Sequence, residues 1–129
     1  MKPELMLLVW SVLLTFLQML VAVSTATLQV GLPALAGNRE GLPVLTGWAG
    51  RAQRAHRNML ESLVLFAVVV LVAAMTDKTN SITLLGAQLY FWARLVYAVV
   101  YLVGVPWVRT LVWLVSVLGI ALIFLQLIA

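Results

Sequence analysis

Residues 51–75 read RAQRAHRNMLESLVLFAVVVLVAAM, and the polar cluster Thr76-Asp77-Lys78-Thr79-Asn80-Ser81 follows. Only 15 uncharged residues separate Glu61 from Asp77, fewer than the ~20 a helix needs to cross a bilayer core. A crossing helix must therefore draw Glu61, and arginines before it, into its own length. The next stretch poses the same problem. Fifteen uncharged residues lie between Lys78 and Arg94, yet the apolar run continues to Gly104-Val105-Pro106. Gly suits a helix C-terminus and Pro the first turn of the next helix, so one helix is expected over 82–103 with Arg94 well inside it. A fourth is expected over 107–128, with Arg109 in its first turn. Upstream, no charge occurs between Glu4 and Arg39, which places the first span at about residues 5–30. Lys2 and Ser24-Thr25-Ala26 imitate a signal peptide, but the apolar stretch is too long for one, and retention is expected.

Composition agrees with a membrane protein. The 129 residues are 64% hydrophobic and 9% charged, against roughly 25% charged in soluble domains. The fold expected is therefore all-α, an integral membrane four-helix bundle in one domain spanning residues 1–129, its helices at about 5–30, 51–75, 82–103 and 107–128. The net charge of +4 gathers at predicted membrane edges and indicates topology, with no nucleic-acid partner. Arg39, Arg51, Arg54, Arg57 and Arg109 flank the first and third connections, against Lys2 and Lys78 on the other side. The positive-inside rule then puts those connections in the cytoplasm and both termini outside. The first connection, GLPALAGNREGLPVLTGWAG (residues 31–50), is too long for a hairpin and is expected to cover something. With no Cys and one His, the chain has no thiol of its own, and thiol chemistry would need a bound cosubstrate.

Several polar residues are out of place in lipid. On the second helix Arg51, Arg54, Arg57, Asn58 and Glu61 fall within about a third of the circumference at 100° per residue. Arginines can snorkel, but Asn58 and Glu61 are short and deeper, and an intramembrane carboxylate normally faces a protein partner. On the third helix Tyr90, Arg94, Tyr97 and Tyr101 share one narrow face. Arg94 lies ten residues before Gly104, about 15 Å down the axis, near the expected depth of Glu61. An Arg94–Glu61 pair is the natural expectation. Such a pair could be purely structural. Alternatively Arg57, Asn58, Glu61, Arg94, Tyr97, Tyr101 and Arg109 line a net cationic pocket that wants an anionic ligand. On the first helix Ser11, Thr15, Gln18, Ala22, Thr25 and Gln29 form the small, weakly polar seam of close helix packing, with Gln29 a possible ligand contact. Trp48 and Trp107 fit an interfacial belt, and His56 is read as a surface or interfacial residue.

At RAQRAHRNMLESLVLF (residues 51–66) the chain resembles the MAPEG family, the membrane-associated proteins in eicosanoid and glutathione metabolism. Arg51, Arg54, Ala55, Asn58 and Glu61 fill the family's second-helix pattern. FWARLVYAVVY (residues 91–101) resembles its third helix, and Pro106 with Arg109-Thr110 the start of its fourth. A bacterial-type, microsomal glutathione transferase-like member is the nearest likeness. The resemblance implies a homotrimer embedded in membrane lipid, with glutathione bound as cosubstrate between subunits on the cytoplasmic side. It also implies a lipophilic small molecule arriving from the bilayer. It assigns glutathione binding to Arg54, Arg57, Asn58, Glu61, Tyr97 and Tyr101, and catalysis to Arg109 and Arg94, with no metal. Arg109 would stabilise the thiolate, although its spacing from the tyrosines is one residue longer than in the family. One departure stands out. The eicosanoid-forming members carry arginines at the cytoplasmic end of the first helix, where this chain reads LQVGLPALAGN, which argues against a leukotriene-type substrate.

The expected activity is glutathione transferase or peroxidase chemistry on a lipophilic electrophile or hydroperoxide. Two other classes remain open from sequence. One is a non-catalytic membrane protein that keeps the fold for binding or assembly. The other is a small four-helix multidrug transporter, disfavoured because residues 5–38 hold no carboxylate.

Overall fold

The computed structural model describes residues 1–38 and 40–129. The described residues form five α-helices: α1 (Pro3–Val30), α2 (Leu32–Ala36), α3 (Gly47–Met75), α4 (Ser81–Val103) and α5 (Pro106–Ile128). All but α2 are long and apolar enough to cross a membrane. The protein is a multi-pass membrane bundle of four antiparallel helices. α3 begins at Gly47, four residues before the expected start, and the short α2 went unforeseen because five residues carry too little periodicity to register. Arg39, which the topology argument counted, lies outside the described residues.

Local chemistry sets the helix ends. Asn80 caps α4 through its Oδ1, which accepts from the N–H groups of Ile82 and Thr83 at 2.8 and 2.9 Å. Thr83 Oγ1 accepts in return from the Asn80 N–H at 2.7 Å, completing a capping box. At the other end Gly104 takes the left-handed conformation, φ +89° and ψ +33°, which an L side chain resists. Pro106 then opens α5. The break expected from Gly104-Val105-Pro106 is present.

The seam on α1 packs inward as its spacing indicates: Ser11, Thr15 and Ala22 are buried. Ser11 and Thr15 donate to the carbonyls of Leu7 and Ser11, both at 2.8 Å, so their hydroxyls are satisfied within the helix. At the α4–α5 crossing Gly86 and Gly119 bring the two backbones together. Met59, Phe66, Val70 and Ala73 of α3 meet Tyr90 and Ala87 of α4 in the core.

The end of the bundle holding the α1 N-terminus is tied across its helices. Lys2 Nζ donates to Asp77 Oδ1 at 2.9 Å and to Thr79 Oγ1 at 3.1 Å. Asn80 Nδ2 donates to Gln126 Oε1 at 2.8 Å, and Lys78 Nζ to the Leu127 carbonyl at 3.0 Å. Glu4 is buried there, and its Oε2 accepts from Thr83 Oγ1 at 2.7 Å. The Lys2 ammonium holds the Asp77 carboxyl below its ordinary range, by hydrogen bond and by charge. Whatever this exposed pair contributes is present above the unfolded carboxylate's pKa and lost as pH falls through the folded one.

Candidate functional site

The opposite end is built around arginines. Gln29, at the end of α1, anchors the residue before α3: its Oε1 accepts from the Thr46 N–H at 2.9 Å, and its Nε2 donates to the Thr46 carbonyl at 3.1 Å. Gln29 thus positions the start of α3. Arg51 Nε donates to the Leu102 carbonyl at 3.0 Å, placing a cation on the carbonyl end of α4 where the helix dipole favours it. One turn on, Arg54 Nε donates to the Tyr101 hydroxyl at 3.1 Å.

Deeper, Arg94 Nη1 donates to Asn58 Oδ1 at 2.6 Å. The Arg94 guanidinium carbon lies 4.9 Å from the Tyr97 ring centroid and 5.8 Å from that of Tyr90, within cation–π range. Tyr90 is itself fixed, stacked on Phe66 with centroids 4.0 Å apart and hydrogen-bonded to Ser62 Oγ at 2.9 Å. The turn at Gly104 brings α5 back so that Arg109 sits 4.8 Å from the Tyr101 ring. Tyr101 therefore stands between two guanidinium groups, accepting from Arg54 and leaving its own O–H free to donate.

The charge balance of this cluster decides its chemistry. Arg94 is 1% exposed, and its Nε and Nη2 are buried without a hydrogen-bond partner. Among the described residues the ion pair Lys2–Asp77 lies at the far end, and none neutralises Arg54, Arg94 or Arg109. Buried charge is costly unless paired, and Arg94 is the buried member of a cluster that is net positive among the described residues.

The MAPEG family model matches residues 7–129, nearly the whole chain. The chain belongs to the MAPEG family. No curated protein and no solved structure matches it.

In this MAPEG protein the predicted residues divide into two groups. Arg54, Asn58, Arg94, Tyr97, Tyr101 and Arg109 come together from α3, α4 and α5. Arg57 and Glu61 do not join them, and both are exposed on α3. The expected Arg94–Glu61 pair is not formed, because Asn58 takes the guanidinium. Glu61 lies three residues beyond Asn58, about 60° round the helix, and that rotation turns it off the α4-facing side. Gln29 holds the first connection, and His56 is half-buried with Nδ1 unpartnered. Sequence reasoning missed Gly50. A Cβ there would lie 2.6 Å from the Leu45 carbonyl oxygen and 3.1 Å from Arg54 Nη1, so only glycine lets the connection descend beside that arginine. The available signal was a small residue one position before Arg51, at the foot of a Gly-rich connection.

Proposed function

We propose that this MAPEG protein is a glutathione-dependent membrane enzyme of the transferase or peroxidase type, acting as a homotrimer on a lipophilic electrophile or hydroperoxide. The observation that carries this is the set of unneutralised guanidinium groups of Arg54, Arg94 and Arg109 around Tyr97 and Tyr101. Glutathione has two carboxylates, one ammonium and a thiol. With glutathione between subunits of the proposed trimer, its carboxylates suit Arg54 and the outward-facing Arg57, its amide groups suit Asn58, and its ammonium suits Glu61, which turns away from its own subunit's cluster and is free of an ion pair among the described residues. Arg109 is half-buried at the mouth of the cluster and has no acidic partner among the described residues. A guanidinium near the bound sulfur favours the thiolate, the nucleophile this chemistry requires. The free Tyr101 O–H is placed to donate to the same anion. Arg94, deeper and enclosed, adds positive field and shapes the floor.

Calorimetry on detergent-solubilised protein should give a saturable heat with glutathione and with its analogue in which a methyl group replaces the thiol. Arg109→Ala should retain both heats but raise the pKa of the bound thiol by about one unit, worth ~1.4 kcal/mol, as read from thiolate absorbance against pH. No heat from either compound rejects glutathione as the ligand. An unshifted titration in Arg109→Ala transfers the thiolate role to another residue.

The proposed sidedness is both termini outside and the arginine-rich end in the cytoplasm. A cysteine introduced at Asn38 should react with impermeant reagents only from the cytoplasmic face, and one at Thr79 only from outside. The reverse pattern would rule out a cytosolic ligand.

A further inference from the structure

Polar side chains within a membrane span normally face the protein interior, and α4 departs from that rule on one stripe of its surface. Gln88 and Trp92 lie one turn apart on the same side of this span, and both are exposed, Trp92 at 58%. Neither the Gln88 amide nor the Trp92 indole N–H has a hydrogen-bond partner among the described residues.

Their depth follows from the start of the helix. α4 begins at Ser81, directly after the polar turn of residues 76–80. At 1.5 Å per residue Gln88 lies about 10 Å and Trp92 about 16 Å along the axis, and half the hydrocarbon core is ~15 Å thick. Trp92 therefore stands near the bilayer midplane, away from the interfacial belt that tryptophan favours. An amide left unpaired in hydrocarbon is costly.

Beside the stripe runs a groove of about 340 Å³ between α4 and α5. Leu85, Leu89 and Val96 of α4 and Val112 and Val115 of α5 form its walls, and Gln88 and Trp92 also line it. Its width identifies the occupant. Leu85 to Val96 spans about 16 Å of helix, so the volume corresponds to a mean width of about 5 Å, half the 10–12 Å diameter of an α-helix. A single hydrocarbon chain fits that space, and a helix of another subunit or another protein does not.

An unsubstituted acyl chain would fill the groove but leave both polar groups unpaired. A hydroxyl on the chain can accept from the Trp92 N–H and donate to the Gln88 carbonyl oxygen. To reach them it must lie ~10–16 Å below the headgroups, in the distal half of a chain that spans one ~15 Å leaflet. The geometry points to the α4–α5 groove as the binding site of a membrane phospholipid whose acyl chain bears a hydroxyl in its distal half, held by Gln88 and Trp92. The far end of the groove reaches the cationic cluster, since Val112 both lines it and packs against Tyr97 and Tyr101. This binding is independent of the glutathione reading.

The probe is phosphatidylcholine with a 12-hydroxyoctadecanoyl chain that ends in a diazirine, mixed into dioleoyl phosphatidylcholine vesicles holding the full-length protein. Photolysis and peptide mass spectrometry should place the label on groove residues near Val96 and Val112. Labelling there should exceed that by the same lipid with an unsubstituted chain about fivefold, as one hydrogen bond gives. Gln88→Leu and Trp92→Phe should each remove most of that enrichment without lowering Tm, because both side chains are exposed. A 2-hydroxy chain, with its oxygen at the headgroups, should show no enrichment. Equal labelling by hydroxylated and unsubstituted chains overturns the proposal, and so does equal enrichment with the 2-hydroxy chain. A groove that no chain labels is covered by a second copy or another protein, which overturns it as well. Displacement of the probe by free 12-hydroxyoctadecanoic acid but not by the unlabelled phospholipid rejects the phospholipid as occupant. A lowered Tm in Gln88→Leu would show that the amide serves the bundle itself and not a lipid.

Discussion

Gly86→Ala is expected to destabilise the bundle by about 3 kcal/mol, the upper part of the range for overpacking, or on the order of 10 °C in Tm. Gly86→Val should leave little folded protein. A Cβ at Gly86 would lie 2.5 Å from the Gly119 carbonyl oxygen and 2.9 Å from Ile123 Cγ1. The reciprocal Cβ at Gly119 would meet the Gly86 carbonyl oxygen, and the Tyr90 backbone nitrogen at 2.9 Å. These obstacles are largely backbone, so no rotamer change relieves them, and the helices must separate. Small residues allow such close approach in membranes, where association rests on packing and not on hydrophobic transfer. Separation also moves α4 away from α5 and breaks the stacking of Arg109 on Tyr101, so the pKa of bound glutathione should rise as stability falls. Val64→Ala, at a position 63% exposed on α3, is the control and should stay within about 0.5 kcal/mol. Thermal melts followed by tryptophan fluorescence provide the measurement. An unchanged Tm for Gly86→Ala would mean that α4 and α5 do not cross at these glycines.

The second large effect is a trade between stability and binding at Arg94. The guanidinium is 1% exposed with two nitrogens unpartnered, and its Nη1 bond to Asn58 at 2.6 Å is its one hydrogen bond among the described residues. An enclosed charge so poorly compensated costs stability, and apolar replacements of buried ionic groups are often stabilising by about 1–4 kcal/mol. Arg94→Met alone leaves Asn58 Oδ1 without its donor, which offsets much of the gain. The double variant Arg94→Met with Asn58→Leu removes both partners. It should melt above the wild type by on the order of 2 kcal/mol while its glutathione affinity falls about a hundredfold or more, since hydrogen bonds to charged groups are worth ~1.5–3 kcal/mol each. Calorimetry and melting on the same samples test both halves. A double variant that melts lower, as an ordinary core deletion would, and still binds glutathione would show that Arg94 is a structural strut.

Much of the architecture was already legible in local sequence. The four spans follow from hydropathy and length, the inclusion of Arg94 and Glu61 within spans from counting uncharged residues, and the α4–α5 break from Gly104 and Pro106. The polar faces of α3 and α4 follow from the 100° step between residues. These features depend on neighbours along the chain, so sequence by itself determines them.

Tertiary structure decided what meets across helices. Asn58 and not Glu61 receives Arg94, because the rotation of α3 against α4 is set by the packing of Met59, Phe66 and Tyr90, and 60° separates a half-buried position from an exposed one. Glu4, which in sequence only bounds the first span, is buried against Thr83, 79 positions away. Gly50, Gly86 and Gly119 look unremarkable in sequence, and only the approach of Leu45 or of the facing backbone makes each one necessary. A cavity lies beneath the first connection, and it belongs to the same class. It exists because Gln29 fastens Thr46 across the loop while α2 folds over α1, and the distance between two segments brought together by packing is not written in either of them.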